Sequence, residues 1–118
     1  MSSVLRIAVS QEQGSAPVTV LYLTGDLDGS TYQNLEAKAS EIISGGANNL
    51  LLDLSGINFI GSAGLRALHG ISNKLKAAGN GQMKLLKPSD SVSRVLKTLG
   101  FDKFFSIHQE FETALTSF

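Results

Sequence analysis

The sequence predicts a single α/β domain in which helices alternate with the strands of one mostly parallel sheet. Strand-like apolar segments are separated by segments with helical apolar spacing, and such crossovers place consecutive strands parallel. The 118 residues, 42% of them hydrophobic, suffice for one core but not for two. We therefore expect a mixed sheet of about five strands with four helices, in the order ββαβαβαβα, in one domain spanning residues 1–118.

The first third of the chain predicts an antiparallel pair of strands. Val4–Val9 alternates weakly, Val18–Leu23 is apolar, and the short segment of turn-forming residues between them favours antiparallel pairing. The second strand leads into a predicted loop at residues 25–29. This loop carries two carboxylates, Asp26 and Asp28.

The rest of the chain predicts three further strands and four helices. Ser30 and Gln33 form a capping-box pattern before the first helix, which ends at Gly45-Gly46. The strands are predicted at Asn49–Leu54, Met83–Leu86 and Phe104–Ile107, and the later helices at Ser62–Ala78, at Pro88–Gly100 and around Phe111–Leu115. Loops 25–29, 55–62 and 87–89 then share the carboxyl edge of the sheet, where open α/β sheets place their sites.

Composition excludes several classes of function. Ten basic and ten acidic residues balance, so no global field draws the chain to nucleic acid or to an anionic membrane. The absence of cysteine fits a reducing compartment. The first residues do not show the basic segment followed by a long apolar segment that is typical of a signal peptide. Nowhere do roughly 18 apolar residues run together. We expect a cytoplasmic protein that binds its partners through a local patch.

The segment from Leu50 to Leu65 organises the chain. An apolar strand gives way to Phe59-Ile60 and then to a glycine-rich turn with Ser62 at the start of a helix, where a hydroxyl can cap free N–H groups and an anion can bind. We expect Ile60 to be an exposed anchor because it lies nearer to Ser62, and Phe59 to pack partly beneath the loop. Gly64 in the first helical turn predicts close approach of a partner backbone or a neighbouring loop.

A serine-hydrolase interpretation is weak. Ser62 is followed by Asp90 or Asp102 and then by His108, in the chain order of the α/β hydrolases. The nucleophile-elbow pattern requires glycine two residues before the serine, and Ile60 stands there. A helix cap is the simpler function of the serine.

The sequence does not favour a general base, a metal site or a nucleotide-binding motif either. His69 lies roughly 10 Å from Ser62 along a helix axis, too far for a general base. Two separated histidines and no cysteine do not make a zinc site, and no phosphate-binding glycine motif is present. Asp26 and Asp28 fit a solvated turn, and Asp53 a structural acceptor of loop N–H groups. We expect no catalytic residues, no metal and no cofactor.

One face of the second helix carries a mildly basic stripe. Its members follow helical spacing: Arg66, His69, Asn73 and Lys76. A solvated face and a docking surface for an acidic partner are both open interpretations.

Four segments resemble the signature segments of the STAS domain family, in particular those of the stand-alone bacterial anti-sigma factor antagonists. They are Thr24–Asp28, Asp53–Gly56, Phe59–Leu65 and the Leu99–Phe101 turn. The resemblance covers the whole chain and implies a STAS-like fold. The family pattern usually has aspartate where Gly61 stands and often a second serine where Ala63 stands.

The resemblance also implies a partner-switching function. In that group, a serine at the start of the second helix, here Ser62, is phosphorylated by a partner kinase. The kinase has the histidine-kinase-like ATPase fold and is also the anti-sigma factor. A PP2C-like phosphatase removes the phosphate. The expected partner-binding residues are Asp26, Asp28, Phe59, Ile60, Gly61, Ala63, Gly64 and Arg66. We expect a non-enzymatic regulator, monomeric or weakly dimeric, that sequesters the kinase when unphosphorylated.

The alternative is a STAS module that acts only in assembly, as a lipid-transport accessory subunit or a scaffold, with Ser62 as a plain helix cap. The small serine hydrolase is a third and weaker hypothesis.

Overall fold

The computed structural model describes residues 4–118 of the chain. The elements follow in the order β1 (Leu5–Gln13), β2 (Pro17–Leu27), α1 (Tyr32–Ser44), β3 (Asn49–Ile60), α2 (Ser62–Gly79), β4 (Gln82–Leu86), α3 (Asp90–Thr98), α4 (Phe101–Phe104), β5 (Ile107–His108) and α5 (Phe111–Thr116). None of these helices combines the length and the apolarity that crossing a bilayer requires.

The five strands form one sheet in the order β1-β2-β3-β4-β5, with β1 antiparallel to β2 and the other pairs parallel. Because the strand order follows the chain order, right-handed crossovers place α1, α2 and α3 on one face. The predicted mixed, mostly parallel sheet is confirmed. The described residues contain five helices rather than four, since a single turn, α4, follows α3.

Two cores lie on opposite faces of the sheet. The larger one packs leucines of β2 and β3 against the apolar stripes of the three crossover helices, with Leu21, Leu52, Leu35, Leu68 and Leu96 all fully buried. The smaller one lies beneath α5, and its buried members are Val18, Val20, Leu51, Leu86, Ala114 and Leu115. The helices therefore cover both faces, as the nearly continuous apolar strands require.

The loops predicted at residues 25–29 and 55–62 are shorter than expected, because β2 continues to Leu27 and β3 to Ile60. In these end segments β2 pairs irregularly with β3, and the pairing contains two register shifts. The glycines and polar residues in both segments mark these irregularities rather than the ends of the strands.

The two irregularities decide which side chains of β3 face the core. From the Tyr22–Asp53 pair to the Leu27–Ile60 pair, β2 advances by five residues while β3 advances by seven. The extra residues of β3 interrupt the simple alternation, so Ile57 and then Ile60 turn into the larger core.

The predicted capping box of Ser30 and Gln33 does not form. Helix α1 begins one residue later than that pattern requires, with Thr31 at the N-cap position. Ser30 instead donates hydrogen bonds from its backbone N–H (2.9 Å) and its hydroxyl (2.8 Å) to the Asp28 carboxylate. The local turn competes successfully for the serine that the helix was expected to use.

The predicted fifth strand is present, but it spans Ile107–His108 rather than Phe104–Ile107. Gly100 adopts a left-handed conformation with φ of 78°, which allows the chain to re-enter one helical turn as α4. Phe105 then enters the larger core, and its ring stacks on that of Phe101 at 5.9 Å. Only Ile107 and His108 remain to pair with β4.

A polar contact fastens the end of the chain to β4. Lys84 donates from Nζ to the Ser117 carbonyl (2.7 Å) and hydroxyl (3.0 Å), and the ammonium lies 4.8 Å from the centroid of the Phe118 ring. His108 Nε2 lies 3.5 Å from the same hydroxyl. Burial lowers the pKa of Lys84. Burial, with the neighbouring charge of Lys84, lowers the pKa of His108.

Gly64 in the first turn of α2 permits the close approach that the sequence predicts, and the neighbour is the end of β2. A Cβ at this position would lie 2.7 Å from both the carbonyl oxygen and the Cγ of Leu27. Backbone oxygen cannot move aside as easily as a side-chain tip. The contact therefore requires glycine.

We expect Gly64→Ala to lower the free energy of unfolding. Overpacking costs about 1–3 kcal/mol, and because the 2.7 Å clash is with a backbone oxygen we expect it to outweigh the roughly 1 kcal/mol that alanine contributes to helix propensity. Gly70 is the matched control because it lies in the same helix, and a Cβ added there would meet nothing within 4 Å. Gly70→Ala should raise stability by up to about 1 kcal/mol. Equal urea midpoints for the two variants would contradict the packing argument.

We expect acid to weaken the fold through His108. Its folded pKa is lowered from the ordinary value of 6.5, so the unfolded chain takes up a proton more readily. Stability should fall as the pH drops below about 6.5 and level off below the folded pKa. Urea unfolding over this range should show a smaller loss for His108→Gln than for the wild type. His69→Gln, at an exposed position, is the control and should keep the wild-type loss.

Candidate functional site

Leu27 joins the two chain segments that carry the predicted site. Its carbonyl oxygen accepts a hydrogen bond of 2.9 Å from the N–H of Gly61, and its side chain packs against Gly64. The turn between β2 and α1 therefore lies directly beside the start of α2. The structure thus brings Asp26 and Asp28 to the same edge of the sheet as Ser62.

The acidic turn, residues 26–31, is held together by its own hydrogen bonds. Thr31 Oγ1 accepts from the Asp28 N–H (3.0 Å) and donates to the Asp26 carbonyl (2.7 Å), and Thr31 is buried. The Asp28 carboxylate accepts both hydrogen bonds of Ser30. Asp28 therefore has a structural function in shaping this turn, in addition to any contact with a partner.

Asp53 repeats that pattern on β3. Its carboxylate accepts hydrogen bonds from the N–H (2.9 Å) and the hydroxyl (2.7 Å) of Ser55. The predicted structural acceptor is confirmed.

Ser62 is the first residue of α2, but the cap itself is Gly61, whose backbone is extended (φ −104°, ψ 178°). The expectation that Ser62 caps the helix is wrong, since no side-chain cap bond is formed. The side chain is exposed, and its hydroxyl forms no hydrogen bond within residues 4–118. The first turn of α2 contains no acidic residue of its own, and the nearest carboxylates in the fold are those of the neighbouring turn that carries Asp26 and Asp28.

Phe59, rather than Ile60, is the exposed apolar residue of the site. Phe59 is 55% exposed, whereas Ile60 is 4% exposed and belongs to the larger core. The expectation of an Ile60 anchor is wrong because the bulges of β3 turn that side chain inward. The Phe59 ring extends over the start of α2, so that a Cβ on Gly61 would lie 3.3 Å from Phe59 Cε2.

The basic stripe of α2 is exposed along its whole length, from Arg66 through His69 and Asn73 to Lys76. Because side chains on a helix lean toward its N-terminus, Arg66 leans from one turn away toward Ser62. Ala63 is half-buried and Gly64 is buried, so these two shape the turn from within.

An apolar groove of about 680 Å³ begins at Ser62 and runs between α2 and α4. Its apolar lining includes Leu99 and Phe104, which are 58% and 52% exposed. The His69 ring meets the Phe104 ring edge to face at 4.9 Å, and Lys76 Nζ lies 5.5 Å from its centroid. Sequence reasoning missed this groove because it assigned Leu99 to a helical stripe and Phe104 to a strand.

The residues of the hydrolase hypothesis do not assemble. His108 lies on β5 beside Ser117, and His69 packs on Phe104. Within the part of the chain that the structure describes, no base contacts the Ser62 hydroxyl. The geometry offers an exposed hydroxyl on a rigid helix start, next to an aromatic side chain and an apolar groove.

Comparison with known proteins finds relatives that cover nearly the whole chain. The chain is 28% identical over 112 residues to the anti-sigma-F factor antagonist RsfB of Mycobacterium tuberculosis, covering 95% of this chain and 88% of RsfB. An anti-sigma factor antagonist from Mycobacterium paratuberculosis has a similar crystal structure, with a TM-score of 0.83, 25% identity and coverage of 97% and 93% of the two chains.

Structures of the antagonist SpoIIAA in two forms are also similar. The unphosphorylated form gives a TM-score of 0.71 at 25% identity, covering 91% of this chain and 93% of that one. The phosphorylated form, from Bacillus, gives a TM-score of 0.64 at 25% identity, covering 91% and 96%. The family model of the STAS domain matches residues 8–114. This chain therefore belongs to the STAS domain family.

Proposed function

We propose that this chain is an anti-sigma factor antagonist that binds an anti-sigma factor kinase when unphosphorylated and is released when Ser62 is phosphorylated. The observation that carries the proposal is the exposed Ser62 hydroxyl at the start of α2, beside the exposed Phe59 ring. The names of its relatives support the general role, and SpoIIAA, a relative of the same fold, has been solved in a phosphorylated form.

A phosphate at Ser62 is compatible with the folded monomer. It would bring roughly −1.5 to −2 charges to a helix start whose free N–H groups and dipole favour an anion. The first turn of α2 contains no acidic residue, so repulsion of the phosphate would come only from the neighbouring turn with Asp26 and Asp28. Arg66, one turn along the helix, supplies a cation on the same side. Phosphorylation therefore requires no rearrangement of the fold.

The same phosphate would oppose a complex. A kinase surface docked over Phe59 and Ser62 would have to bury a dianion, at a cost of several kcal/mol unless it provides matching cations. A loss of roughly 3–4 kcal/mol weakens binding by more than a hundredfold. The switch then acts on affinity alone.

The partner surface extends from Phe59 along the groove. Phe59, Leu99 and Phe104 would supply apolar anchors, and the basic stripe that follows Arg66 would face an acidic region of the kinase. Asp26 and Asp28 would border the surface on the β2 side. The kinase would have the histidine-kinase-like ATPase fold, and a PP2C-like phosphatase would remove the phosphate from Ser62. The chain itself would act in the cytoplasm without catalysis.

This site has Gly61 at the position where the family pattern usually has aspartate. A Cβ at position 61 would lie 3.3 Å from Phe59 Cε2, so an aspartate there would require the exposed ring to shift by a few tenths of an ångström. In this chain the backbone of Gly61, fixed by its hydrogen bond to Leu27, positions Ser62. The proposal therefore does not require a carboxylate beside the acceptor hydroxyl.

We expect Ser62→Ala to retain kinase binding and to lose phosphate incorporation. Ser62→Asp should weaken binding at least about tenfold with little change in stability, because a carboxylate is favourable at a helix start. Ser91→Ala, at an exposed serine in the first turn of α3, is the control and should keep both properties. Phosphate mapping by mass spectrometry and titration calorimetry with the candidate kinase measure the two outcomes. A kinase that binds without transferring phosphate would favour the assembly module instead.

We expect Phe59 and Ile60 to separate binding from stability. Phe59→Ser should cost more than about 1 kcal/mol in kinase binding and leave the urea midpoint nearly unchanged, since the side chain is exposed. Ile60→Ala should lower the free energy of unfolding by about 2–5 kcal/mol, since it removes a core side chain. A kinase interface that tolerates Phe59→Ser would remove this residue from the partner surface.

A further inference from the structure

Strand β1 is a long, open edge of the sheet. Its nine residues pair with β2 without interruption, and within residues 4–118 no strand pairs with its other side. It contains no proline, and its ladder with β2 contains no bulge. Natural proteins commonly protect such an edge with those devices, because an open edge accepts another strand.

The free backbone groups of this edge belong to alternate residues. The N–H of Asp26 donates to the Val4 carbonyl, which makes Val4 and Asp26 a hydrogen-bonded pair of the antiparallel ladder. Such pairs recur at every second residue, so the even-numbered residues of β1 face β2 with their backbone groups. The odd-numbered residues, from Leu5 through Val9 to Gln13, present theirs to the open side.

The charges of β1 match those of a second copy of itself in one register. Two β1 strands that pair antiparallel about a twofold axis at Val9 place Arg6 of each copy opposite Glu12 of the other. This register also aligns the free backbone groups, because Val9 faces Val9 and Leu5 faces Gln13. The neighbouring registers place Arg6 opposite Ser10 or Gly14 and lose both ion pairs.

We propose that two copies of this chain associate through β1 in that register, joining the two five-stranded sheets into one continuous sheet. Arg6 is exposed and Glu12 is half-buried, so both can reach across the edge. Val9 is 41% exposed and would be covered by its counterpart at the axis. Since β2 separates β1 from β3 and Ser62, the association is independent of the proposed switch.

Charge reversal tests the register. Sedimentation velocity over a concentration series up to the millimolar range should show a weak, salt-sensitive dimer of the wild-type chain. Arg6→Glu and Glu12→Arg should each weaken dimerisation at least about fivefold, because both cross-strand pairs become like-charged. An equimolar mixture of the two variants should recover dimers, since every pair in the mixed dimer is again opposite in charge.

Val9→Pro provides a second variant that keeps the monomer intact. It removes an N–H that faces the open side, so the ladder with β2 is retained while the proposed pairing is blocked. Circular dichroism checks that each variant is folded. A wild-type chain that stays monomeric at all concentrations, as it would if β1 accepts only a foreign strand, overturns the proposal. The proposal is also overturned if Val9→Pro still dimerises, or if the equimolar mixture of Arg6→Glu and Glu12→Arg stays monomeric.

Discussion

The contact of Leu27 with the start of α2 is the constraint on which the arrangement of the site depends. One hydrogen bond, from the Gly61 N–H to the Leu27 carbonyl, and one close packing contact, with Gly64, fix the end of β2 against the first turn of the helix. They bring together the acidic turn and the Ser62 hydroxyl, which are far apart in the chain. A side chain at position 64 would push these segments apart, so the glycine maintains the geometry of the site.

The same contact explains why a switch at Ser62 can act without a change of fold. The residues beneath the site, Leu27 and Ile60, belong to the larger core, whereas the residues above it, Phe59 and Ser62, face outward. Charge added to the outer layer meets a helix N-terminus on one side and, on the other, solvent and the neighbouring acidic turn. A bound partner would replace that solvent, and the cost of the added charge would fall on the complex rather than on the monomer.

Sequence patterns predicted the fold class, the order of strands and crossover helices, and the position of Ser62 at the start of α2. They were wrong where a second interaction, local or tertiary, competed with the predicted one. The Ser30 capping box lost to hydrogen bonds within the acidic turn, and the aromatic segment after Gly100 formed a helical turn because Phe105 packs into the core. The serine took a local partner two residues away, whereas the phenylalanine took a position that only the folded chain offers.

The sequence by itself determined the alternation of strands and helices, because apolar periodicity and glycine turns are local properties of the chain. It also determined the self-complementary charges of β1, which follow from spacing alone. Only the tertiary structure decided that Phe59 is exposed and Ile60 buried, because that choice depends on bulges in the pairing of β3 with β2. A bulge is a relation between two strands, and no period within one strand encodes the register of its neighbour.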